Sequence, residues 1–303
     1  MPLIATAPPE RVPLIGGFDY MTVDAARRRV YAAHAGNRSL MIVNADTGKV
    51  VGQVRVGPMA GLALNAQTGH VYTGNGDGRS VSEVDPVTLK EVHSVDLPGP
   101  VDALAYDPAS GSIYADEDNG THIWIVDSKT FKQVGSIDLP GHKPEYLAID
   151  SGKRELYQNI ADLSEVVVID LKTNKIVRTL PTPLITNNHP LQYDPAFDHI
   201  LVGGANGVLG VYDSNGKLLS EVSMVQPRVD QCALDQARHL LACAGSSKIT
   251  LLKDNKTGPP QIVGQIEVAR GMHTLAVDPK TGDIWGVWAD ERGDWVQRFT
   301  LKP

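Results

Sequence analysis

A unit of about 42 residues recurs along the chain, and a fixed period of that length marks stacked supersecondary units, each dependent on its neighbours for a core. Seven segments align without gaps: VDAARRRVY, LNAQTGHVY, YDPASGSIY, IDSGKRELY, YDPAFDHIL, LDQARHLLA and VDPKTGDIW. Each has an apolar residue, then Asp or Asn, a short polar stretch and an apolar pair. The turn-opening residues are Asp24, Asn65, Asp107, Asp150, Asp194, Asp235 and Asp278. Their side chains are suited to accept backbone N–H groups in Asx turns.

A second signature lies inside the copies, where an apolar run ends in Asp or Asn and reads on to Thr and Lys: NADTGK, DPVTLK, DSKTFK and DLKTNK, with looser DSNGK and DNKTG later. Alternating runs between these turns, such as 39–43, 123–126 and 166–169, are too short for helices and rich in β-branched residues. Each copy therefore reads as a four-stranded antiparallel meander. One such sheet leaves both apolar faces bare, and seven packed radially cover them, so the expected fold is an all-β, seven-bladed β-propeller. The last copy ends after three strands, whereas 11–17 (RVPLIGG) precedes the first copy as RVGPMA precedes the second. The expectation is a single domain over 1–303, with a tail at 1–10 and the segment 11–17 closing the last blade as its outermost strand, where Pro13 is tolerated.

Composition excludes several classes. Gly (29) and Pro (20) are abundant in the 303 residues, which disfavours a helical bundle. The formal net charge is −7 and the longest basic cluster is Arg27–Arg29, so no cationic face tracks nucleic acid. No apolar run approaches the length of about 18 residues that spans a bilayer. The opening MPLIATAPPE has neither the basic nor the apolar segment of a secretory leader, so the expected location is periplasmic or secreted if a leader was removed and cytoplasmic otherwise. Cys232 and Cys243 match no metal knuckle, and two buried thiols are expected. The loop 116–121 (DEDNGT) lacks the distal Glu of an EF-hand and reads as a hairpin loop.

Counting five positions back from each turn residue gives Asp19, Ala60, Asp102, Glu145, His189, Asp230 and His273. In a propeller meander these positions begin the innermost strands and should gather at one mouth of the central channel. Six of the seven can ligate a metal or move a proton. Four carboxylates in a small ring repel one another, and a divalent cation is the economical remedy. Oxygen ligands alone suit calcium or magnesium, whereas imidazoles beside carboxylates favour zinc, manganese or iron. The expected metal ligands come from Glu145, His189, Asp230 and His273, supported by Asp19 and Asp102. His189 and His273 are also candidate acid–base groups. His34, at the end of the second strand of the first copy, Tyr146 and His142 are further candidates near the mouth.

The Asp-Pro-x-x-Gly-x-apolar-Tyr and Asp-x-x-Thr-x-Lys turns resemble those of the YVTN-repeat propellers, over almost the whole chain from Arg11 to Lys302. That resemblance implies the fold, and membership of a group of bacterial exported proteins. The column also resembles the metal site of the senescence-marker and gluconolactonase propellers, in which Glu, Asn and Asp residues begin inner strands, as Glu145, Asp230 and Asp102 do here. The virginiamycin-inactivating lyases look similar in placing His and Glu near the channel. His189 and His273 stand where the first pattern has an amide. Together these readings imply a monomeric metal-dependent hydrolase (lactonase- or esterase-like) or lyase acting on a compact small molecule. The rival expectation is a non-catalytic exported propeller that binds a ligand or protein at its rim.

Overall fold

A computed structural model describes residues 2–223, 226, 228–245 and 247–302. The described residues form seven antiparallel sheets, six of them meanders of four consecutive strands and the last joining strands from both ends of the sequence, and the fold is an all-β seven-bladed propeller. Among them no helix is long and apolar enough to cross a membrane. The backbone contacts divide the chain into two compact units. One comprises 9–144 and 289–296 and carries the first three blades. The other comprises residues up to 8, 145–288 and from 297 onward, and carries the later blades.

All seven turn-opening residues act as expected. Oδ1 of Asp24, Asn65, Asp107, Asp150, Asp194, Asp235 and Asp278 accepts a backbone N–H two or three residues ahead, at 2.9–3.2 Å. The second turn series behaves likewise, with Asn44, Asp85, Asp127, Asp170 and Asp213 as acceptors. These side-chain acceptors close the hairpins and thereby set the strand register.

The runs read as alternating are buried on both faces. In the fourth blade, Val166, Val167, Val168 and Ile169 of the strand Glu165–Asp170 are all buried. Second and third strands are covered on both sides, so they carry continuous apolar runs. The outermost strands are wet, and in the second blade Lys90–Asp96 is exposed over most of its length.

Two sequence expectations need correction. The N-terminal segment does close the last blade, but not as one strand over 11–17 behind a tail. Leu3–Ala5 pairs with Phe299, Thr300 and Leu301, and Glu10–Val12 pairs with Asp294, Trp295 and Val296, so both lie on the same final strand, Gly293–Leu301. Buried Leu3 and Val12 anchor them, and beyond Val12 the chain leaves the ladder, with Leu14 at φ 71° and Ile15 exposed. Nor do Cys232 and Cys243 remain thiols. They face each other across Gln231–Asp235 and Leu240–Gly245 and form a disulfide with Cα atoms 4.1 Å apart.

Candidate functional site

The first strands of several blades open with an irregularity, and the column residues sit in it. Register shifts occur between Met59 and Leu62, Val101 and Leu104, and Asn188 and Leu191, bracketing Ala60, Asp102 and His189. Asp230 and His273 immediately precede Gln231–Asp235 and Thr274–Val277. A bulge releases a residue from the ladder and re-aims its side chain.

In the unit holding the later blades, four column residues meet as a chain of contacts. Nε2 of His189 lies 3.3 Å from Oε2 of Glu145. Nδ1 of the same ring is 2.5 Å from the Asp230 carbonyl oxygen, while Asn159 donates to the His189 carbonyl at 2.9 Å and fixes the bulge. The Asp230 carboxylate then takes His273 Nδ1 at 2.8 Å on Oδ2 and an Arg228 guanidinium N–H at 2.8 Å on Oδ1. Burial pushes the Asp230 carboxyl up. The hydrogen bond from His273 and the charges of His189, His273 and Arg228 outweigh it and hold the group below the usual carboxylate range.

Tyr146, next to Glu145, has φ 59° inside the strand Pro144–Asp150. A bulky residue with left-handed backbone in a strand is a strained conformation of the kind found at binding sites. Gln158 donates to its carbonyl at 3.2 Å, and its ring meets that of His189 edge-on with centroids 6.5 Å apart.

Around Asp230 and His273 opens a cavity of about 460 Å³, whose wall also carries Arg228, Ser247 and Arg270. Both arginines were absent from the column count. They precede it, two positions before Asp230 in RVD and three before His273 in RGMH. Gly245 brings the two sides of the cavity close: a Cβ there would lie 1.9 Å from the Arg228 carbonyl oxygen.

In the other unit the column residues have different settings. The Asp19 amide donates to the Ala33 carbonyl at 3.1 Å. Asp102 occupies the bulge that buried Asp116 stabilises by accepting the Ala103 amide at 2.6 Å. His34 has no exposed surface. Its Nε2 is 2.5 Å from Oδ2 of equally buried Asp294, which also accepts the Gly16 and Gly17 amides at 2.8 and 2.9 Å. Its ring stacks on Phe18 with centroids 4.6 Å apart. Burial lowers the His34 pKa against the opposing pull of Asp294. A side chain so enclosed ties strands together and does not reach a substrate, which corrects its placement among mouth residues.

Among the described residues no group of three or more His, Cys, Asp and Glu side chains is arranged to hold a metal ion. The expected ligands meet pairwise, with both Asp230 carboxylate oxygens bonded to cationic or N–H groups.

The architecture recurs in solved proteins. The WD40 repeats of RRP9 match with a TM-score of 0.86 at 10% identity, covering 99% of this chain and 100% of that one. The β-propeller domain of Myceliophteria thermophila Cps50 (Swd1) matches at 0.80 and 13% identity, over 99% and 100%. Hydrazine synthase of Kuenenia stuttgartiensis matches at 0.81 and 17% identity, over 99% of both chains. At such identities the likeness establishes the propeller class alone. No protein family's sequence profile matches the chain. No curated protein matches it either.

Proposed function

We propose that the protein is a monomeric enzyme acting on a small oxygenated molecule, as a hydrolase of the lactonase or esterase type or as a lyase, with His273 as general base. One observation carries this reading: His273 lines the cavity while its Nδ1 is bonded to buried Asp230. A carboxylate on Nδ1 fixes the tautomer and orientation of an imidazole and steadies the cation formed when Nε2 takes a proton. In hydrolysis that proton comes from water attacking an ester or lactone carbonyl. In elimination it comes from the carbon beside a carbonyl. Both routes build negative charge on an oxygen, and Arg228 and Arg270 on the same wall would stabilise it. Glu145 and His189 act as positioning residues, holding the Asp230 backbone from the other side. The Cys232–Cys243 bond supports an oxidising, periplasmic or secreted location.

The test is a panel of lactones, esters and β-oxygenated acids assayed with wild type, His273→Gln and Asp230→Asn. Loss of about 10²–10⁴-fold in kcat in folded His273→Gln is expected. Full activity in that variant overturns the reading. The metal-dependent form requires Asp230 to exchange Arg228 and His273 for an ion shared with Glu145 and His189. Dialysis against zinc, manganese and iron(II) followed by elemental analysis decides it, and no retained ion overturns that form.

A second reading, a non-catalytic propeller that binds a partner at its rim, is favoured by one observation in the early blades. Exposed Val51, Val87 and Leu89 surround a cavity of about 320 Å³ beside Arg27 and Arg29. Turnover abolished in His273→Gln would set it aside.

A further inference from the structure

Arg270 is an exposed guanidinium on the wall of the 460 Å³ cavity, and among the described residues it makes no ion pair. The chain as a whole carries a formal charge of −7, so an unneutralised arginine beside a His–Asp pair stands out from its surroundings. Arg228, Asp230, Arg270 and His273 are the titratable groups on that wall. Asp230 takes Arg228 on one oxygen and His273 on the other, at 2.8 Å each. Its single negative charge offsets Arg228, and Arg270 is left as one uncompensated positive charge.

We infer that this cavity binds a short monocarboxylate whose carboxylate is held by Arg270, with Arg228 flanking it, and whose adjacent oxygen-bearing carbon is presented to His273. The inference deepens the reading of His273 as a base and rests on that reading for the identity of the reacting carbon. Three physical arguments support it. Arginine presents a planar fork of N–H donors that matches a carboxylate in two parallel hydrogen bonds. One net positive charge calls for a monoanion, since a second negative charge would face Asp230 without any further cation to offset it. Ligand length follows from the backbone: the Met272 amide bonds the Ala269 carbonyl at 3.1 Å, so Arg270 lies within one tight turn, in which Gly271 takes φ 91°, and His273 directly follows it. A molecule touching both side chains need be only a few carbons long.

Binding can be read without turnover. In protein labelled with ¹³C at histidine Cε1, the His273 resonance is assigned by its absence in His273→Gln and followed during titration with acetate and glycolate. Acetamide, glycolamide and inorganic phosphate serve as comparison probes. A saturable shift with the two carboxylates and none with the amides is expected. Arg270→Gln should raise the apparent Kd about tenfold or more, and Arg270→Lys should recover part of the loss. Equal response to amides, preference for phosphate, or an unchanged Kd in Arg270→Gln would overturn the inference. Because Arg270 is exposed, its replacement leaves the core intact, and circular dichroism checks this. If carboxylates bind as described while His273→Gln and wild type are equally inactive on every substrate, the catalytic reading fails and the carboxylate site stands. If neutral esters are turned over by wild type and not by His273→Gln while acetate and glycolate leave the His273 resonance unmoved, the carboxylate site fails and the catalytic reading stands.

Discussion

Nδ1 of His273 stands 2.8 Å from Oδ2 of Asp230, and the carboxylate behind the ring is buried while the ring itself faces the cavity. Replacing Asp230 by Asn keeps the volume but removes the charge that stabilises the protonated ring. We expect Asp230→Asn to lower kcat about 10²–10⁴-fold with a much smaller change in KM. Stability should also respond to acid. The Asp230 pKa is depressed in the folded protein, so its contribution is present above the ordinary carboxylate range and is lost as pH falls through the depressed value. A thermal melt series from pH 5 to pH 2 compared with Asp230→Asn checks this.

His34 also has a lowered pKa, here because burial disfavours its charged form, and its effect falls in a higher pH range. Its folded pKa lies below 6.5, so the unfolded chain binds a proton more readily than the folded one. Stability from this group is therefore complete above pH 6.5 and declines as pH falls through the folded value. The melting temperature of wild type should drop between pH 7 and pH 5. In His34→Gln that part of the slope should be absent, whatever its starting stability.

Arg238 clasps two successive blades. It bonds Oδ2 of buried Asp235 at 2.7 Å and reaches the carbonyls of Pro279 and Lys280 at 3.2 Å. Arg27 repeats the arrangement with Asp24, Ala66 and Gln67. Arg238→Ala leaves a buried carboxylate without its cation and should cost about 2 kcal/mol in urea unfolding. Lysine lacks the fork that reaches three acceptors, so Arg238→Lys should recover little of it.

Reduction offers a separate test. The disulfide joins residues 11 apart in sequence, and closing a loop of that size restricts the unfolded chain. Cys232→Ala/Cys243→Ala should lose about 2–3 kcal/mol relative to the oxidised protein. Wild type assayed with reductant should approach the double variant.

Gly245→Ala probes the cavity wall. A Cβ at that position would collide with the Arg228 carbonyl, and the backbone φ of 157° adds strain for an L side chain. The displaced segment carries Arg228 with it. We expect Gly245→Ala to weaken substrate binding several-fold with Asp230 and His273 both present, as measured by KM.

The repeat made the blades legible because each turn is closed by its own Asp or Asn, a local interaction that a gapless alignment exposes. The column was legible for the same reason, and Glu145, His189, Asp230 and His273 do meet within one unit. What the alignment hid was lateral. Arg228 and Arg270 precede their column residues by different offsets, so counting one residue per copy passed over the groups that set the cavity's charge. The Cys232–Cys243 pairing was within reach: the repeat places Asp235 opposite Leu240, and stepping outward along that hairpin brings the two cysteines face to face. His34 was misjudged because strand position alone does not reveal that Asp294, far along the chain, lies against it.

The final strand Gly293–Leu301 receives both Leu3–Ala5 and Glu10–Val12, and the Thr6 hydroxyl bonds the Arg298 carbonyl 292 residues away. During synthesis, Leu3–Ala5 and Glu10–Val12 must therefore wait for Gly293–Leu301, made much later, before they find their hydrogen-bonding partner. Until then the nascent polypeptide exposes unpaired edges, and a slow late step in maturation is built into its topology.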